Sequence, residues 1–122
     1  MNYEWVGDYC LSKPGAVKDN KEEWEAYRYM VGGKMFLMEG GDREGRPILS
    51  LKLEPLRGDT ARNEYDCVIP GYYMNKVHWN SVYRDGNLPD DVMKSFIDES
   101  YNLIFSALSK KKQREILEAA EK

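Results

Sequence analysis

The pair Gly32-Gly33 sits between two β-prone runs in the stretch YRYMV-GG-KMFLM. A two-residue hairpin turn of the favoured mirror-image type needs positive φ at both central positions, which glycine adopts without steric cost. The stretch therefore predicts an antiparallel hairpin, and a chain built on one must organise its core around a sheet. Pairing Val31 with Lys34 sets Tyr29 opposite Phe36 and Tyr27 opposite Met38 on one face, with Met30 and Met35 on the other. Both faces are then fairly apolar, as in the middle of a sheet that helices cover on one side and that is half-covered on the other.

The remaining segments supply the other parts. PILSLKLEP alternates Leu49, Leu51 and Leu53 with Ser50 and Lys52, the period-2 pattern of a third antiparallel strand buried on one face. Tyr3 to Leu11 carries a helical stripe that Pro14-Gly15 stops, and the charged stretch KDNKEEWE follows it. Leu56, Ala61 and Tyr65 are spaced for a short helix that Gly58-Asp59 is expected to interrupt, since a helical glycine costs about 1 kcal/mol relative to alanine. HWNSVYR has strand character and Asp85-Gly86-Asn87 turn character. Pro89-Asp90-Asp91 opens a long amphipathic helix with Met93, Phe96, Ile97, Tyr101, Ile104, Phe105 and Leu108 along its inner stripe. A basic cluster, Lys110 to Lys112 with Arg114, follows, and ILEAAEK supports another helical turn or two.

With 122 residues, 42% hydrophobic and 32% charged, the chain is sized for a single domain with one core. Its net charge of −3 means that binding to nucleic acid or an anionic membrane needs a local basic patch. Cys10 and Cys67 lie far apart, and with one histidine they make no zinc-binding pattern; free thiols in a reducing cytoplasm are the expectation, with no metal and no cofactor. No apolar run approaches the ~20 residues that span a bilayer, so no membrane partner is expected.

The most unusual segment is GYYMNKVHWN, Gly71 to Asn80. From Gly71 to Arg84 there is no acid, two cations (Lys76 and Arg84) and the aromatics Tyr72, Tyr73, Trp79 and Tyr83. Lysine can contact phosphate, aromatic rings can stack on unpaired bases, and Asn75 or Asn80 can read a base edge. The plainer reading makes Trp79 and Tyr72 half-core residues, with Asn75 and His78 holding a loop and Lys76 solvated. His78 could serve as a general base, but no nucleophile signature, carboxylate pair or phosphate-cradling loop accompanies it, so the chain is read as a non-enzyme. A third reading is a protein-interaction module, chaperone-like or homodimerising, that receives a peptide or a second copy on an aromatic sheet face of Tyr27, Tyr29 and Phe36. A basic strip joining Lys34, Lys76, Arg84 and the tail would favour nucleic acid; scattered cations around an apolar patch would favour a protein.

Taken in order, GGKMF, LSLKLEP, PGYYMNKVHWNSV, DGNLPDD and SYNLI resemble the MmcQ/YjbR family over roughly residues 11–112, leaving 113–122 as an extra helical tail. The resemblance implies an α+β two-layer sandwich of the CyaY-like or secretion-chaperone-like kind. Its antiparallel sheet has helices packed on one face, an N-terminal helix and a long C-terminal helix. It also implies a bacterial-type DNA-binding protein; a monomer or weak homodimer is expected. The residues expected to form the site, from their own chemistry, are Tyr72, Asn75, Lys76, His78, Trp79 and Asn80, with Lys34 and Arg84 in support.

Overall fold

The computed structural model describes residues 2–72 and 74–121; Tyr73, counted above among the motif's aromatics, lies outside them. Six antiparallel strands form one sheet in the order β1-β2-β3-β4-β6-β5. They are β1 (Val17–Lys21), β2 (Ala26–Val31), β3 (Lys34–Gly41), β4 (Pro47–Lys52), β5 (Val68–Pro70) and β6 (Trp79–Tyr83). The helices are α1 (Val6–Leu11), α2 (Pro55–Glu64), α3 (Asp90–Ser106) and α4 (Lys110–Ala120). The α+β class, the antiparallel sheet and the terminal helices all follow the expectation from sequence.

The hairpin turns at Gly32 and Gly33 with φ of 57° and 80°, and Val31 faces Lys34 as the turn geometry requires. Beyond Met30–Met35 the register departs from the simple pairing: a bulge makes Phe36 an extra residue, so Tyr29 faces Leu37 and Tyr27 faces Glu39. Two consecutive large side chains, Phe36 and Leu37, thereby reach full burial under the helices, where strict alternation would have exposed one of them. The bulge leaves the Phe36 carbonyl in need of a partner, and buried Ser100 of α3 donates to it at 2.6 Å while accepting the Lys52 N–H at 2.9 Å.

The core lies between the helices and one face of the sheet, with Tyr29, Val31, Leu49, Leu51 and Val82 from the strands and Val6, Cys10, Met93, Ile97 and Ile104 from α1 and α3. Phe36 meets Tyr101 edge-on at 5.3 Å, and the Tyr101 hydroxyl donates to the Pro14 carbonyl at 2.6 Å, which ties α3 to the end of α1.

Three elements differ from the sequence reading. The charged run Lys18–Glu25 supplies all of edge strand β1 but Val17, together with a single 3-10 turn, Glu22–Trp24; charges suit an edge strand because they discourage pairing with another chain. Helix α2 runs unbroken through Gly58, where a side chain's first carbon would sit 3.1 Å from Asn80 Nδ2 and 3.0 Å from Arg62 Nη1. The glycine admits the Asn80 amide rather than ending the helix. The C-terminal helix divides: α3 ends at Ser106, and α4 restarts after Ser109, whose hydroxyl accepts the Lys112 N–H as an N-cap.

Candidate ligand-binding site

The segment between β5 and β6 folds back over the sheet face that the helices leave open. Ser81 points to that face, pairs with Ser50 through hydroxyls 2.7 Å apart, and accepts the Tyr72 N–H at 3.0 Å. Both serines are fully buried, so chain from this segment covers the ladder there. The Tyr72 hydroxyl in turn accepts the Arg43 N–H at 3.2 Å, which fastens the segment to the turn between β3 and β4.

Most of the residues singled out from sequence hold this loop together. Asn75 Oδ1 accepts the Val77 N–H at 2.8 Å and the Asn75 carbonyl accepts the Trp79 N–H at 2.9 Å, closing a compact turn. The Lys76 ammonium donates to the Gly71 carbonyl at 2.9 Å across the base of the loop. The His78 carbonyl accepts the Leu53 N–H at 2.9 Å, joining the loop to β4, while its half-buried imidazole bonds to no described residue. Trp79 is half-buried, and Val77 at the tip is 59% exposed.

Asn80 and Arg84 sit elsewhere. Asn80 is 1% exposed on the helix-covered face, accepts from Arg62 and lies against Gly58. The Arg84 guanidinium donates to the Asn2 and Tyr3 carbonyls and pairs with Glu39 at 3.2 Å, which ties the N-terminal segment to the sheet. Lys34 stands at the β2–β3 hairpin, two places from β6 in the sheet. The Lys110–Arg114 cluster rides on α4, whose Ile116 packs over Gly15 just before edge strand β1, while the loop belongs to the opposite edge. Lys76, Arg84, Lys34 and the tail therefore form no single strip. The aromatic face proposed for a peptide is closed as well: Tyr29 and Phe36 are buried under helices, and only Tyr27 remains exposed.

What the open face does hold is a cavity of about 670 Å³, in the range that accepts a small molecule or a short piece of peptide. Its apolar lining comes from Ala26, Met38, Pro47 and Met74, the last contributed by the loop. The strands leave room because Ala26 and Gly40 stand side by side where larger residues would fill the space: a first side-chain carbon on Gly40 would lie 3.2 Å from Ala26 Cβ. Glu23, Trp24, Glu25 and Asp42 bring polar and aromatic groups to it. Asp42 is built in, its Oδ1 accepting the Glu44 and Arg46 N–H groups at 2.9 Å each.

Sequence reasoning missed this site. Gly40 and Gly41, in the polar glycine-rich stretch GGDREGR, belong to β3 and wall the cavity, and Trp24 in an otherwise charged run was the one signal in the sequence. Among the described residues no three His, Cys, Asp or Glu side chains group as metal ligands would, and no helix is long and apolar enough to cross a membrane.

The YjbR family model matches residues 11–103. The chain belongs to the YjbR family. It is 35% identical to YjbR of Escherichia coli K12 over 106 residues, 87% of this chain and 89% of that relative, and 32% identical to Escherichia coli YbdF over 88 residues, 72% and 71% of the two. A Deinococcus radiodurans crystal structure with a DUF419 domain superposes with a TM-score of 0.84 at 26% identity, covering 95% of this chain and 88% of that one. A Pseudomonas syringae protein shares the fold at a TM-score of 0.73 and 22% identity, over 84% of this chain and 98% of that one. The cavity-lining residues from Glu23 to Met74 all lie inside the family match, and α4 lies beyond it.

Proposed function

We propose that this YjbR-family chain is a non-catalytic binding domain that receives a peptide segment of a protein partner on the open face of its sheet. The observation that carries the reading is the open-face cavity bordered by Met74, walled by small residues and lined by methionines that adapt to different apolar shapes. The loop's own polar groups are largely engaged in holding its shape, so it serves as a preformed wall for the cavity. Nucleic acid, the partner that the family resemblance implies, would meet exposed cations that are spread over separate parts of the fold. Affinity for phosphate chains depends on how many cations act together.

The test is selection from a displayed random-peptide library against the whole chain and against Ala26→Leu and Met74→Asp variants shown to be folded by their thermal melts. Peptides that bind the parent and lose binding to both variants support the reading. Labelled single- and double-stranded DNA is titrated in parallel at low and near-physiological salt. Saturable, salt-sensitive DNA binding that disappears with Lys76→Ala, together with no cavity-dependent peptide, overturns the reading in favour of nucleic acid.

A further inference from the structure

The charges around the cavity define what kind of peptide it would take. Three acidic residues, Glu23, Glu25 and Asp42, are among those that line it, and no lysine, arginine or histidine is among them in the described residues. Glu23 is paired with Lys21 at 3.2 Å and Asp42 is occupied by the β3–β4 turn, but the Glu25 carboxylate makes no hydrogen bond or ion pair with any described residue.

Glu25 is also placed at a local cost. It ends the 3-10 turn in the left-handed region, φ 52° and ψ 45°, one of two non-glycine residues at positive φ among those described. Glycine or asparagine would close the same turn with less strain.

Beside it, Trp24 is 54% exposed, and its ring already draws cations: the Lys21 ammonium lies 5.3 Å and the Arg28 guanidinium 5.8 Å from its centroid. Both of these cations are tied to acids of their own, Lys21 to Glu23 and Arg28 to Asp19.

From this juxtaposition we infer that the cavity selects a basic side chain, so that the partner segment is one that presents a lysine or arginine. The inference rests on the peptide-binding reading and adds the chemistry of the residue that enters. The alkyl stem of the guest lies against Met38, Met74 and Pro47, and its cationic head meets the Glu25 carboxylate and the Trp24 ring. Aliphatic stems of long basic side chains pack on apolar surface while their heads stay near water and counter-charge. An acidic guest would meet the uncompensated Glu25 carboxylate.

The experiment is a titration of the ¹⁵N-labelled full chain with four blocked pentapeptides, alanine-leucine-X-leucine-alanine, in which X is lysine, arginine, norleucine or glutamate. The amides of Gly40, Gly41 and Gly45 and the Trp24 indole report on the cavity walls. The expected result is saturable shifts of these signals with the lysine or arginine peptide, norleucine weaker by about tenfold and glutamate without effect. Glu25→Gln should weaken the basic peptides by about fivefold and leave norleucine unchanged, as for the loss of one partly exposed ion pair. Equal binding of norleucine and lysine, or an unchanged lysine affinity in Glu25→Gln, overturns the charge selectivity while the peptide site stands. No shift at the three glycines with any of the four peptides overturns both.

Discussion

On the helix-covered face β3 presents Phe36 and Leu37 and β4 presents Leu49 and Leu51, whereas on the open face the same strands present Met38, Gly40, Ile48 and Ser50; Met38, Ile48 and Ser50 are buried too, so the faces differ in the kind of side chain and not in burial. The first set fills the space between two layers with large apolar groups and leaves little room for anything else. The second mixes small, flexible and polar residues, and its cover is a folded loop and a 3-10 turn instead of helices. Dense packing makes a face stable, and a deliberate shortage of side-chain volume makes the other face receptive. Stability and binding should therefore respond to different residues, and each face can be tested for the property assigned to the other.

The sharpest separation is in core energetics. Leu51→Ala empties a fully buried position between β4 and the helices and should cost about 3 kcal/mol, as leucine truncations in close-packed cores do. Met74→Ala removes a half-buried side chain that already borders a void, and less than about 1 kcal/mol is expected because little packing is lost. Urea unfolding of the two variants measures both. Equal losses would mean that the open face is packed as tightly as the covered one, and the contrast would fail.

The covered face should also give way at high pH. Burial pushes the Tyr3 and Tyr29 phenols from 10.0 up to about 12, and the Cys10 thiol from 9.0 up to about 12. The folded chain holds these protons where the unfolded chain releases them. Their contribution is whole below pH 9, and it is lost as pH rises from there toward 12. Unfolding free energy should thus fall by a few kcal/mol across that window, with late, cooperative tyrosine ionisation in the ultraviolet and no reaction of Cys10 with thiol reagents at neutral pH in the folded state. Tyr3 and Tyr29 losing their protons near pH 10 without unfolding would show that the covered face admits water.

Asn80 separates the faces within one strand. Its amide lies under α2 and binds Arg62 and the His78 carbonyl, so Asn80→Ala should cost about 1–2 kcal/mol by leaving buried groups short of partners. Peptide affinity should not change, since the cavity is on the other side of the sheet. A variant of normal stability that loses binding would return Asn80 to the recognition surface expected of it from sequence.

The covered face was legible because its rules are periodic. Gly32-Gly33 announces the hairpin, the alternation of Leu49, Leu51 and Leu53 announces β4, and the stripe from Met93 to Ile104 announces α3. The bulge at Phe36 was not legible, because the extra residue is set by how two adjacent large side chains pack beneath α3 and nothing in the local pattern marks it. Gly58 was misread for a similar reason: the residue that requires it, Asn80, is distant in sequence. The motif GYYMNKVHWN was visible at once, but composition alone does not distinguish a lysine or asparagine that reaches outward from one that braces its own loop. The cavity left the faintest trace, since absent side-chain volume at Ala26 and Gly40 produces no pattern.

The smallest expected effect tests the contrast at one residue. If the Glu25 side chain serves the ligand and not the turn, Glu25→Gly should relieve the left-handed strain, ~1–2 kcal/mol, against an entropic loss of ~0.5–1 kcal/mol for glycine in the unfolded chain. The net outcome is a protein more stable by about 0.5 kcal/mol that binds the lysine peptide less well, the opposite pairing to Asn80→Ala. Paired urea and peptide titrations on the same preparations decide it. A destabilised Glu25→Gly variant would mean that the side chain supports the 3-10 turn, and the open face would then be held together by the very residue assigned to its ligand.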